Sequence, residues 1–281
     1  MQWSLVSAAP QPLVRMPEAA RQKIDFVLAD IDDTISTHGR VTAAAYAALE
    51  RLRSAGKRVV PITGRPAGWC DHIARMWPVD AVVGENGAFY MYYDDDKQKL
   101  VTKFAVSPIE RAANRARRND VAASILRAVP GSALASDQRY RETDLAIDYC
   151  EDVPPLPRAD VDRIVELMQA QGMTAKVSSI HVNGWFGTYD KLTMTKALCT
   201  KVFGSDPGTE RERFLYVGDS PNDAPMFAFF VHSVGVANVR TFLDRIATPP
   251  AYITREDAGG GFVEVADWLL TAQSPSSELR V

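Results

Sequence analysis

Asp30, Asp32 and Asp33 crowd three carboxylates into the stretch Asp30-Ile31-Asp32-Asp33-Thr34, directly after the apolar run Phe26-Val27-Leu28-Ala29. A run of that kind reads as a buried strand, and open α/β sheets bind their ligands at the carboxyl ends of strands. Like charges this close repel, so a cation is needed to offset them. A hard divalent ion with oxygen ligands suits the task, and Mg2+ in particular keeps waters and adds substrate phosphate. The one-residue spacing of Asp30 and Asp32 lets one carboxylate attack phosphorus while the other reaches the leaving oxygen. Such a pair forms an aspartyl phosphate, protonates the departing alkoxide and then activates water. The same stretch also suits an acidic helix-capping turn, because Asp and Thr are common N-caps.

Three further places carry chemistry of the same kind. The strand-like Val59-Val60-Pro61-Ile62 ends in Thr63-Gly64-Arg65. There a hydroxyl can meet a phosphoryl oxygen and a planar guanidinium can pair with phosphate, unless the segment is only a turn with a surface arginine. Phe214-Leu215-Tyr216-Val217 precedes Gly218-Asp219-Ser220-Pro221-Asn222-Asp223. Asp219 at the strand end can ligate a metal, with Asn222 and Asp223 binding it or orienting its waters; the alternative is a Gly-Asp turn followed by an Asn N-cap. Lys191 stands at the start of a helix, where an ammonium neutralises both nucleophile and phosphate. Lys196, one turn further on, competes with it and is expected to face solvent.

The elements that must hold these residues alternate. Ile24 to Ala29, a helix over about 42–54, Arg58 to Ile62, a further helix and Asp80 to Val83 indicate a parallel sheet with crossover helices. Ala88 to Tyr93 and Leu100 to Ala105 then flank Asp94-Asp95-Asp96-Lys97, a hairpin with a polar turn that opens an antiparallel insertion. Helical periodicity over 108–129 and 159–171, with strands over 145–149 and 174–182, makes a mixed α+β unit to about Phe186. The parallel pattern resumes with a helix over 191–202 and a strand over 214–217, and alternates on through 233–236, 241–246 and 251–254. The spans expected are an N-terminal extension (1–21), a Rossmann-like core (22–87 and 187–271), an inserted unit (88–186) and a loose tail (272–281).

With 281 residues the chain can bury a large core, and its net charge of −3 speaks against a nucleic-acid surface as the main function. Cys70, Cys150 and Cys199 show neither a disulfide framework nor metal-like spacing, which fits a reducing cytoplasm. Pro10 and Pro12 interrupt the N-terminal apolar residues, no basic segment precedes them, and no later run is long enough to span a bilayer.

The order DxDxT, strand-Thr-Gly-Arg, helix-starting Lys and GDxxND resembles the haloacid dehalogenase superfamily of phosphotransferases. The insertion between the Thr and Lys motifs, preceded by Gly84-Glu85-Asn86-Gly87-Ala88, looks like the type IIB branch with its α/β cap, as does the Asp190-Lys191 entry to the third motif. That branch includes Cof-like sugar phosphatases, sucrose-phosphate and mannosyl-phosphoglycerate phosphatases, and phosphomannomutases. The resemblance implies Asp30 as nucleophile, Asp32 as acid and base, Thr63 and Lys191 holding the phosphoryl group, and a Mg2+ site from Asp30, the backbone carbonyl of Asp32, Asp219 and Asp223. Gly64, Arg65, Asn86 and Asn222 become substrate contacts. In the cap, Arg139, Arg141 and His181 are candidates, against a polar surface strand for the arginines and a structural role for the histidine. Two departures stand out: Asp33 where many members have Gly, and Leu192 after Lys191 where Gly is common.

The expected activity is Mg2+-dependent hydrolysis of a small phosphomonoester, a sugar phosphate or phosphoglycerate derivative, by a monomer or homodimer without nucleic-acid or membrane partners. A phosphomannomutase-like transferase, a receiver-like signalling domain and an idle phosphate-binding protein are the alternatives.

Overall fold

The protein is described by a computed structural model covering residues 9–271; the expected tail over 272–281 and residues 1–8 of the N-terminal extension lie outside the described residues. β1 (Gln11–Pro12) and α1 (Glu18–Lys23) lead into β2 (Phe26–Ala29), whose four apolar residues are all buried. A small hairpin, β3 (Ser36–Thr37) and β4 (Arg40–Val41), is followed by α2 (Ala43–Ser54), β5 (Arg58–Pro61), α3 (Ala67–Met76) and β6 (Val82–Gly84). The polar turn joins β7 (Phe89–Asp94) to β8 (Lys99–Phe104). The mixed region holds α4 (Pro108–Ala128), β9 (Ala133–Leu134), β10 (Leu145–Asp148), α5 (Arg158–Ala170), β11 (Thr174–Val177) and β12 (His181–Trp185). The chain continues through α6 (Lys191–Val202), β13 (Phe214–Gly218), α7 (Ala224–Phe229), β14 (His232–Gly235), β15 (Tyr252–Ile253) and α8 (Ala258–Leu270).

Six strands form a wholly parallel sheet in the order β1-β15-β14-β13-β2-β5. β2 is an inner strand, and its register sets Ala29 opposite both Val217 and Pro61. The chain therefore leaves β2, β5 and β13 at one edge, carrying Asp30, Thr63 and Asp219 with it. A four-stranded antiparallel sheet, β11-β12-β10-β9, packs with α4 and α5 around a separate core that includes Ile125, Ile147, Ile164, Met168 and Val182. Fold class is thus as the alternation implies: a parallel α/β core with an inserted α+β unit. Among the described residues no helix is long and apolar enough to cross a membrane.

Several details differ from expectation. Thr174 to Val182 is two strands, not one, because Ser178 Oγ accepts from the His181 amide at 3.0 Å and competes with continuation of the strand. Phe89 and Met91 of the β7–β8 hairpin pack with Val27 and Leu49 of the parallel core, rather than with the inserted unit. Within the expected extension, β1 pairs with β15, and Leu13, Met16 and Ala20 are buried in that same core. No element is read from the sequence over 258–270, where α8 places Phe262, Val265 and Ala266 beside Leu49.

One backbone position brings the turn after β6 against the start of α6. In the turn between β6 and β7, Gly87 has φ +103°, and a Cβ there would lie 2.0 Å from the carbonyl oxygen of Asp190 at the start of α6. Gly172 also has positive φ, +76°, but faces open space. Gly87→Ala should lower unfolding free energy by about 3 kcal/mol or more, combining backbone strain with overpacking, while Gly172→Ala should cost about 1 kcal/mol. Chemical denaturation of the two variants checks the difference, and equal losses would contradict the close contact.

Candidate active site

Asp30 follows β2 directly, its amide bonded to the Val217 carbonyl at 2.9 Å, and its carboxylate is buried. Lys191 is the first residue of α6, a helix capped by the Asp190 side chain, which accepts from the Thr193 amide at 2.7 Å. That placement sends Lys191 Nζ to Oδ1 of Asp30 and Oδ1 of Asp223, both at 2.8 Å. Lys196 lies exposed, its ammonium 5.1 Å from the ring centre of Phe229, which decides between the two lysines.

Asp223 is fixed from three directions. Its Oδ2 accepts the amides of Asp219 and Ser220 at 3.0 and 3.2 Å, and Tyr216 donates its hydroxyl to Oδ1 at 2.5 Å. Gly218 makes room for this, because a Cβ there would come within 2.5 Å of Asp223 Oδ2. Asp219 is buried and accepts from Asn238 Nδ2 at 3.2 Å; the same amide holds the carbonyl of Asp33 at 3.0 Å. Asp33 has φ +53°, the left-handed conformation that Gly would adopt freely and Asp tolerates.

One carboxylate oxygen from each of Asp30, Asp219 and Asp223 falls within 4.8 Å of the others. Three buried carboxylates face one buried ammonium. Burial, with Asp223 and Asp32 adding, pushes Asp30 up to about 8 against the pull of Lys191. Burial and the Asp223 and Asp30 charges likewise raise Asp219 well above the carboxylate range. Burial works against the Lys191 ammonium, yet Asp223 and Asp30 hold its affinity for the proton above the usual lysine value. An all-oxygen donor set with excess negative charge fits Mg2+.

Asp32 turns away from this trio toward Arg65, whose Nε lies 2.9 and 3.1 Å from its two oxygens and whose Nη2 lies 2.8 Å from Oδ1. Thr63 is fully buried, and its hydroxyl oxygen accepts the Arg65 amide at 3.0 Å. The Asn86 amide donates to the Thr63 carbonyl at 3.0 Å, while its side-chain Nδ2 is buried without a partner. Asn222 Oδ1 accepts from Ser220 Oγ at 2.8 Å.

From the inserted unit, Arg141 is buried between Asp137 and Asp144 and donates to the Gly64 carbonyl at 2.7 Å. The unit thus meets the sheet edge and leaves a space of about 10 Å³, lined below by Asp30, Asp32 and Asn222 and above by Arg141, His181 and Asn183. Arg139 is not brought there; it is exposed and bonded to its neighbour's Tyr140 hydroxyl at 2.5 Å. The Gln138–Tyr140 segment is a 3-10 turn, not a strand, which sends Arg139 and Arg141 to different environments.

Sequence reasoning misses Glu85, Asn238 and Glu151. Glu85 is buried, and its carboxylate accepts the amides of Ala67 at 3.0 Å, Glu142 at 2.8 Å, Thr143 at 2.6 Å and Asp144 at 3.2 Å, together with the Thr143 hydroxyl. Its place beside Asn86 in the Gly84-Ala88 segment is the one available signal.

A buried carboxylate edge on a parallel sheet, met by an inserted α+β unit, defines an enzyme of the capped, doubly wound α/β class. Residues 27–141 match the family model of the haloacid dehalogenase-like hydrolases. It is similar to a phosphoglycolate phosphatase of Haloarcula marismortui, with 28% identity over 240 residues, 85% of this chain and 94% of the relative. A phosphoglycolate phosphatase of Methanosarcina mazei is 23% identical over 255 residues, 88% of this chain and 97% of the relative. A solved structure from Thermoplasma acidophilum shares the fold at a TM-score of 0.65 and 19% identity, covering 88% of this chain and 98% of that one.

Folded Asp30 keeps its proton to about pH 8, whereas the unfolded chain releases it near pH 4. Folding therefore binds a proton between those values, and this contribution to stability falls as pH rises. Without divalent cations, the melting temperature should drop between pH 5.5 and 8, and saturating Mg2+ should remove most of the drop. A melting temperature at pH 8 that ignores Mg2+ would contradict the site.

Proposed function

We propose that this hydrolase is a Mg2+-dependent phosphatase that cleaves a small phosphomonoester through a phosphorylated Asp30. The observation that carries the reading is the buried Asp30 carboxylate at an inner strand's end, 2.8 Å from Lys191 and grouped with Asp219 and Asp223. Relatives named phosphoglycolate phosphatases, matched over nearly their whole length, support it and favour a phosphorylated hydroxy acid over a sugar phosphate.

Asp30 attacks phosphorus, and Asp32 gives its proton to the departing ester oxygen. Thr63 and Lys191 hold the phosphoryl oxygens, with Asn86 Nδ2 and Asn222 as further donors. Asp32 then takes a proton from water as the water attacks the aspartyl phosphate, which releases phosphate and restores Asp30. Arg65 orients Asp32 throughout. Asp30, Asp219, Asp223 and the Asp32 carbonyl would hold Mg2+, which would supply the charge that lets an anionic nucleophile meet an anionic phosphate.

Residues 108–186 serve as the cap. Because the space beneath them is about 10 Å³, the cap must move for an ester to enter. The unpaired Cys70, Cys150 and Cys199 support a cytoplasmic setting.

With 2-phosphoglycolate as substrate, Asp30→Asn should abolish phosphate release and Asp32→Asn should slow it by about 10²–10⁴-fold. EDTA should silence the enzyme, and no sugar bisphosphate should be required, which separates hydrolysis from mutase chemistry. Undiminished release by folded Asp30→Asn would overturn the mechanism.

A further inference from the structure

Asp148, the last residue of β10, is buried, and its carboxylate accepts the amides of Cys150, Glu151 and Asp152 at 2.9, 2.8 and 2.8 Å. One side chain thereby fixes the loop that carries Glu151. The Glu151 carboxylate reaches from the cap to the core: Oε1 lies 2.8 Å from Arg65 Nη2, and Oε2 lies 2.8 Å from His181 Nε2. Arg65 is 4% exposed, its guanidinium 4.4 Å from the ring centre of Trp69, with Asp32 on its Nε and Nη2 and Asp137 3.5 Å from its Nη1. His181 is 2% exposed, and its Nε2 makes no aligned hydrogen bond despite the short distance. Two deeply buried nitrogens thus form a carboxylate seat, filled by a side chain that is itself a quarter exposed.

We propose that this seat binds a carboxylate on the leaving group of the substrate, and that Glu151 holds the seat until the substrate displaces it. The inference rests on the phosphatase reading for where the phosphate reacts. Arg65 touches Asp32, which protonates the ester oxygen, so the seat lies just beyond that oxygen. A carboxylate on the carbon bearing the phosphate ester reaches it. The substrate class is therefore the phosphate monoester of a small 2-hydroxy acid.

Three considerations favour displacement. The remaining space of about 10 Å³ admits no ester, and the Glu151 carboxylate sits on two of the residues that line it, Arg65 and His181. Exchanging one carboxylate for another leaves the local charge count unchanged, whereas a neutral hydroxyl would leave the buried His181 Nε2, and the face of Arg65 that meets Glu151, without the carboxylate they share now. Glu151 lies on a loop next to solvent and regains hydration when it swings out. Although burial raises its pKa, His181 and Arg65 hold it down to about 2, so Glu151 competes as a full carboxylate at neutral pH.

Calorimetry on the Asp30→Asn protein with Mg2+ tests this without turnover, comparing 2-phosphoglycolate with 2-hydroxyethyl phosphate. The carboxylate ligand should bind about 100-fold tighter, since a site built around a polar group rejects the analogue lacking it. Adding Glu151→Gln should raise that ratio about tenfold, and adding His181→Ala or His181→Gln should lower it about tenfold. Equal affinities for the two ligands, or a ratio that falls with Glu151→Gln, would overturn the proposal. A preserved ratio in a protein whose wild type releases no phosphate would sink the phosphatase reading while leaving the seat intact.

Discussion

Mutual repulsion among Asp30, Asp219 and Asp223 is the constraint on which the rest of the structure depends. Three carboxylates buried around a single ammonium form a costly arrangement, and the fold shows what sustains it. Parallel pairing of β2 with β13 brings two of them to the same edge. The capped start of α6 delivers Lys191 between Asp30 and Asp223, and the Tyr216 hydroxyl and two backbone amides hold Asp223. Even the omitted methyl at Gly218 belongs to this arrangement, because any side chain there would collide with Asp223. On the proposed phosphatase reading, local stability is given up so that a cation and a phosphate restore the balance on binding.

The residues legible in the sequence are those whose meaning is local. Asp30, Thr63, Asp219 and Asp223 follow apolar runs, and a strand followed by a polar turn is a pattern within a few neighbouring positions. Lys191 is set apart from Lys196 in the sequence only by the resemblance of Asp190-Lys191 to the family's third motif, and the exposure of Lys196 decides between them. Glu151 and Glu85 escape the same reasoning because their partners lie 86 and 58 residues away. No local periodicity shows that a glutamate will meet a guanidinium from another layer. Asn238 is illegible for the same reason, its contact with Asp33 spanning 205 residues.

Elements were misjudged where a short polar segment could satisfy its own backbone. Ser178 turns the chain between β11 and β12, and the turn over Gln138–Tyr140 separates two arginines that look equivalent in sequence. Arg141 ends up between two buried carboxylates and Arg139 in solvent, although both follow the same acidic residue. Burial, which the sequence does not encode one residue at a time, decides which cation can contribute to a site.

The Glu85 clamp has a mechanical consequence. Besides the two chain connections, the cap is pinned to the core where one carboxylate gathers the amides of residues 142–144. Arg141 on the Gly64 carbonyl and Glu151 on Arg65 tie the same two layers at neighbouring points. On the opening proposed above, the Glu85 clasp, which gathers three amides and a hydroxyl, is the joint that stays shut, and the partly exposed Glu151 contact is the one that parts.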